Sequence, residues 1–173
     1  MYFYLSLGSN IDPERSAVQM TLHLCQKFGV IALYPFRYTE PESIESEGLF
    51  VNSLAVVQAV MPTSVVKLKL NQIETAMGRD RNDPLRSQKN RAADIDILNF
   101  SDTLDLSIFS RAKEGYVQSC YDLVGEVPTL ENLGLASYQR PSSVYLDAGS
   151  SDIRVVEDEL QCFVNGVKAA FNT

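Results

Sequence analysis

The sequence predicts an α+β fold, an antiparallel sheet with helices packed on it, in a single domain of 173 residues. Three observations carry this expectation. Short aromatic and β-branched runs alternate with two stretches of helical periodicity, and turn formers separate the runs. The order of the runs is strand, helix, strand, strand, helix, strand. That is the ferredoxin-like split βαβ arrangement, βαββαβ, with both helices expected on one face of the sheet.

Residues 2–7 are aromatic and apolar, and Gly8-Ser9-Asn10 reads as the tight turn that ends them. Asp12 suits an N-cap, with Pro13 in the first turn and Gly29 as the stop. Between them Ala17, Met20, Leu24 and Phe28 share one helical face, and the sole histidine, His23, lies on its flank. Residues 30–39 predict one strand, residues 40–48 an acidic surface loop, and residues 50–59 a further strand. Pro62 opens a second helix, with Val66, Leu70, Ile73 and Met77 on one face and Gly78 at its end. The alternation in residues 93–100 (ADIDILNF) reads as a strand. Past residue 101 the signals weaken to a short strand at 144–147 and a C-terminal helical extension, where Val156, Leu160, Phe163, Val164, Val167 and Phe171 recur at helical spacing.

Composition narrows the function. A net charge of −7 argues against nucleic acid as a partner, since such binding rests on neutralising phosphates. No apolar run approaches the ~20 residues that span a bilayer, so no membrane partner is expected. The N-terminal residues lack the basic start of a signal peptide, and the three cysteines are widely spaced. A cytoplasmic location is the expectation; the oligomeric state is left open. The charge is uneven, however. Between residues 79 and 91 lie Arg79, Arg81, Arg86, Lys89 and Arg91 against Asp80 and Asp83, five minus two, a local +3. Such an island suits a small polyanion.

Directly after the island, Asp94 and Asp96 alternate with Ile95 and Ile97, so both carboxylates face one way, roughly 6.5–7 Å apart at Cα. Neighbouring carboxylates stay ionised only with a cation between them. The candidates are the preceding arginines or a bound metal. Magnesium takes a few carboxylates and completes its shell with phosphate and water, and metal with arginine is what a triphosphate needs. The plainer alternative is a pair of salt-bridged surface aspartates.

Four stretches resemble the hydroxymethyl-dihydropterin pyrophosphokinases of folate synthesis. In order they are Leu5-Ser6-Leu7-Gly8-Ser9-Asn10; Tyr38-Thr39-Glu40-Pro41; Phe50-Val51-Asn52-Ser53; and Ile73-Glu74 through Gly78-Arg79-Asp80-Arg81 to the run from Arg91 to Leu98. The resemblance implies transfer of the β,γ-pyrophosphoryl unit of ATP to the hydroxymethyl group of a reduced pterin, 6-hydroxymethyl-7,8-dihydropterin, releasing AMP. It implies two magnesium ions on Asp94 and Asp96, with phosphate contacts from Arg81 and Arg91. Asn71 and Glu74 would lie nearer the nucleoside, and Thr39, Pro41, Phe50 and Asn52 would line the pterin pocket. From the residues alone, Phe50 reads first as a core aromatic and Asn52 as a satisfied strand polar.

The resemblance has gaps. The family's His-Pro pair after the aspartate strand has no counterpart in residues 107–118, where Arg111, Lys113 and Tyr116 are the partial substitutes. The family's loop tryptophan is also missing, as the chain has none. A relative that binds nucleotide or pterin without turnover is therefore the alternative to an active enzyme.

Overall fold

The computed structural model describes residues 1–28, 30–34, 36–41, 49–85, 89–122 and 144–147. The expected helix over 155–171, the stop at Gly29 and most of the acidic loop lie outside them. The elements run β1 (Tyr2–Ser9), α1 (Pro13–Phe28), β2 (Val30–Leu33), β3 (Arg37–Thr39), β4 (Phe50–Gln58), α2 (Thr63–Ala76), β5 (Asp94–Ser101), α3 (Gly115–Asp122) and β6 (Val144–Asp147). A 3-10 segment, Leu106–Arg111, precedes α3.

The sheet has the order β5-β1-β4-β2-β6, every pairing is antiparallel, and the first four members give the ferredoxin-like order. The expected strand over 30–39 is two strands sharing one partner. β2 pairs the C-terminal half of β4 through Ile31 and Val57, and β3 pairs the N-terminal half through Arg37 and Asn52. Tyr34 N–H still donates to the Leu54 carbonyl at 2.8 Å, but the next residue in sequence is Pro35, which has no N–H to give. Gly8 and Ser9 belong to β1, so the expected turn at Gly8-Ser9-Asn10 starts two residues later.

Strand alternation sends Phe3, Leu5 and Leu7 of β1 toward the helices, where they bury with Ala17, Met20 and Leu24 of α1 and Val66, Leu70 and Ile73 of α2. Both predicted helical stripes therefore meet the same sheet face. The opposite face has its own apolar cluster, which the sequence reading did not anticipate. Tyr4, Tyr34, Leu54 and Val56 of the sheet pack with Leu106, Ile108 and Phe109 of the 3-10 segment and with Val117 and Cys120 of α3. Tyr4 and Tyr34 both meet Phe109 edge-on, at 5.5 and 5.2 Å between ring centres. This second cluster covers only part of the face, and the polar residues beyond it form the site below.

Cys120 is a free, buried thiol in this cluster. Burial pushes it up to about 12 from an ordinary value of 9.0. The unfolded thiol would ionise first, so the native state holds more protons in that window and stability falls as pH rises from about 9 toward 12. Unfolding free energies from urea titrations at pH 8 and about 10.5 should differ by roughly 2 kcal/mol from this thiol, and Cys120→Ala should flatten the difference. Burial shifts the Tyr34 hydroxyl the same way.

Candidate active site

One cross-strand row organises the polar face. In register across β5, β1, β4 and β3 stand Asp94, Gly8, Asn52 and Arg37. On one side of this row Asp96 stands beside Ser6, and on the other side Thr39 pairs with Phe50. Gly8 is the gap in the first row: a Cβ there would meet Asn52 Oδ1 at 2.6 Å. Its missing side chain gives the Asn52 amide its place, and Asn52 Nδ2 donates to Thr39 Oγ1 at 2.6 Å. The Arg91 guanidinium lies over the Phe50 ring, 5.9 Å from its centre.

The basic residues converge because a buried carboxylate gathers them. Glu74, on the last turns of α2, is 1 % exposed and accepts the outward N–H of Ile95 at 2.8 Å. Gly78, at φ 95°, turns the chain out of the helix in a conformation that only glycine holds without strain. The residue after it, Arg79, donates to Glu74 Oε1 at 3.0 Å and also to Asp94 Oδ1. Arg81 donates to Glu74 Oε2 and to Asn71 Oδ1. Burial raises the Glu74 carboxyl above its ordinary value, against the lowering effects of the Ile95 N–H and the two guanidiniums. For Arg79 burial acts downward, yet the carboxylates of Asp94 and Glu74 prevail and its value is raised.

Arg91 is placed from the other side. Its N–H donates to Asn10 Oδ1 at 2.7 Å, Asn10 N–H donates back to its carbonyl at 3.0 Å, and its guanidinium reaches Asp94 Oδ2 at 2.8 Å. Asn10 thus serves the site by holding Arg91. Asp94 is gripped by two arginines, whereas Asp96 is half exposed and meets Lys67 Nζ at 3.1 Å.

Of the residues singled out from sequence, Asp94, Arg81, Arg91, Asn71 and Glu74 form one contiguous network, with Phe50 reached through Arg91. Asp96 lies on the same face, and Asn52 and Thr39 form a bonded pair across β4 and β3. Pro41 joins Thr39, Arg37 and Tyr116 around a cavity of about 390 Å³ between β3 and α3. Two residues central to this geometry were missed as individual sites, Arg79 and Lys67. Arg79 was within reach, since it follows a helix-stopping glycine and opens the basic island. Lys67 carried no signal, because only the edge of β5 shows where α2 delivers it. Tyr116, counted only as a partial substitute, stands on the first turn of α3. Burial raises its hydroxyl above the ordinary value, a bond with Ser6 lowers it, and the charges of Asp96, Glu114 and Asp94 raise it further.

Two features fit an anion. Arg79 Nε and Arg81 Nε are buried donors with no hydrogen-bond partner among the described residues. The acidic pair likewise fits a hard divalent cation. No group of three His, Cys, Asp or Glu side chains gathers among the described residues, so a cation here would take most of its shell from phosphate oxygens and water. That is the habit of magnesium. Each Asp94 oxygen accepts one arginine and retains a second lone pair.

The ferredoxin-like sheet thus carries paired aspartates beside a buried glutamate of α2 and three convergent arginines. The profile of the 7,8-dihydro-6-hydroxymethylpterin-pyrophosphokinase (HPPK) family matches residues 4–130, and the chain belongs to that family. No curated protein matches the chain. The family comprises diphosphokinase transferases of folate biosynthesis, which use ATP and magnesium. No helix among the described residues is long and apolar enough to cross a membrane.

Proposed function

We propose that this chain transfers the pyrophosphoryl unit of ATP to the hydroxymethyl group of 6-hydroxymethyl-7,8-dihydropterin and releases AMP, as a cytoplasmic enzyme of folate synthesis. The reading rests chiefly on the arginine cluster: Glu74 holds Arg79 and Arg81 while Arg79 and Arg91 flank Asp94. Arg79, Arg81 and Arg91 would bind phosphate oxygens, Arg79 and Arg81 through their unused N–H donors. Asn71 and Glu74 then serve the nucleotide through Arg81 and Arg79. Asp94 and Asp96 would hold two magnesium ions, whose chemistry is to neutralise the phosphate charge as the alcohol attacks.

Asn52 offers a donor and an acceptor in one plane to the pterin edge, beside Thr39, Pro41 and Phe50. Asp96, the more exposed aspartate, would accept the alcohol proton. An Asp96→Asn protein that binds both substrates and keeps full turnover would refute that role. Alanine at Gly8 would push Asn52 aside, so Gly8→Ala should weaken pterin binding roughly tenfold or more while sparing nucleotide binding, as read by calorimetry.

A second reading, a relative that binds without turnover, is favoured by the ion pairs that already engage both aspartates and by the absent His-Pro pair. Measuring AMP release from ATP with and without the dihydropterin separates the two. Pterin-dependent AMP supports the enzyme. Binding of both ligands with no AMP supports the second reading.

A further inference from the structure

Lys67 is a cation that the family motifs do not include. Lys67, Asn71 and Glu74 stand four and three residues apart on α2, hence on one helical face. That face lies along the outer edge of β5, the end strand of the sheet path. Glu74 accepts the Ile95 N–H at 2.8 Å, and Lys67 Nζ donates to the Ile95 carbonyl at 3.4 Å and to Asp96 Oδ1 at 3.1 Å. The edge groups of Ile95 are thus taken by α2, and the backbone contact keeps the ammonium beside Asp96. A solitary surface pair would be free to swing away.

Charge decides what this ammonium does. The cluster holds Lys67, Arg79, Arg81 and Arg91 against Glu74, Asp94 and Asp96, four minus three, net +1. A surplus positive charge repels a bare divalent cation but attracts a metal–triphosphate complex of about −2. We propose that Lys67 is a resident counter-ion of Asp96 that a divalent cation must displace. The carboxylate pair then binds free metal poorly and fills when metal arrives on a nucleotide. This rests on the reading of Asp94 and Asp96 as metal ligands.

The test is uptake of Mn²⁺ by the whole protein, followed by electron paramagnetic resonance, without nucleotide and with a non-hydrolysable ATP analogue. Removing a unit charge a few ångströms from a divalent ion should tighten binding of free Mn²⁺ about threefold to tenfold in Lys67→Met. Lys67→Arg should match the wild type. Lys67 is 40 % exposed at its side chain, so the fold should survive, and Lys67→Gln serves as a second uncharged variant. Equal uptake by wild type and the uncharged variants, whether measurable or nil without nucleotide, overturns the counter-ion role. Failure of all the proteins to take up Mn²⁺ even with the analogue present overturns the metal reading itself.

Discussion

Replacing Asp94 by alanine should lower pterin-dependent AMP release by about a thousandfold or more. Three losses coincide at this one carboxylate. It is the better buried of the two proposed metal ligands, and its two oxygens orient Arg79 and Arg91 separately. Removing one preorganised electrostatic partner of a transition state typically costs about 10²–10³ in rate, and here a metal ligand and two arginine anchors go together. The fold should tolerate the change. Arg79 keeps Glu74, and Arg91 keeps its backbone bonds to Asn10 and its place over Phe50. A stability loss of about 1–3 kcal/mol is expected by urea titration. Asp94→Asn, which retains acceptor oxygen but no charge, separates shape from charge. Near wild-type turnover in either variant would remove Asp94 from the chemistry.

The parts of this site that were legible in the sequence share one property: they are local. Strand alternation puts Asp94 and Asp96 on one face whatever the rest of the chain does, and the helical stripes of α1 and α2 point at one core. Arg81 and Arg91 drew notice as members of a basic run beside an acidic strand. What escaped notice depends on contacts between distant segments. Gly8 looked like turn chemistry, and only the register of β1 against β4 shows that its hydrogen makes room for Asn52. Lys67 is one of three lysines on α1 and α2 until β5 proves to be the strand beside α2. The second apolar cluster was obscured because residues 106–122 bury through a 3-10 segment and a helix of eight residues, both too short to show a clean period. β2 ends at Leu33 and β3 begins at Arg37 within a run of strand-forming residues, and β-propensity hid that break in the sequence reading.

Glu74→Ala should be the most destabilising single change in the site, by about 3–5 kcal/mol, because it strips a buried cluster of its central anion. Three donors lose their acceptor at once: the Ile95 N–H, Arg79 and Arg81. Arg79 can fall back on Asp94, but among the described residues Arg81 retains only the Asn71 amide oxygen. Glu74→Gln, which keeps an acceptor for Ile95, should lose less, and Asn71→Ala about 1 kcal/mol. The direction of the Glu74 shift bears on why such a residue is there. Burial lifts its carboxyl above the ordinary value despite two guanidiniums and a backbone donor, so desolvation outweighs their help. A group that costs this much to bury is a poor device for holding a helix against a strand, and an apolar side chain would serve the fold better. Its use is positional, since it fixes two arginines with buried N–H donors unspent. Glu74→Gln should therefore also lose AMP release, even when assayed well below its unfolding midpoint, where every molecule is folded. Full turnover by folded Glu74→Gln would mean that the arginines find their places without it.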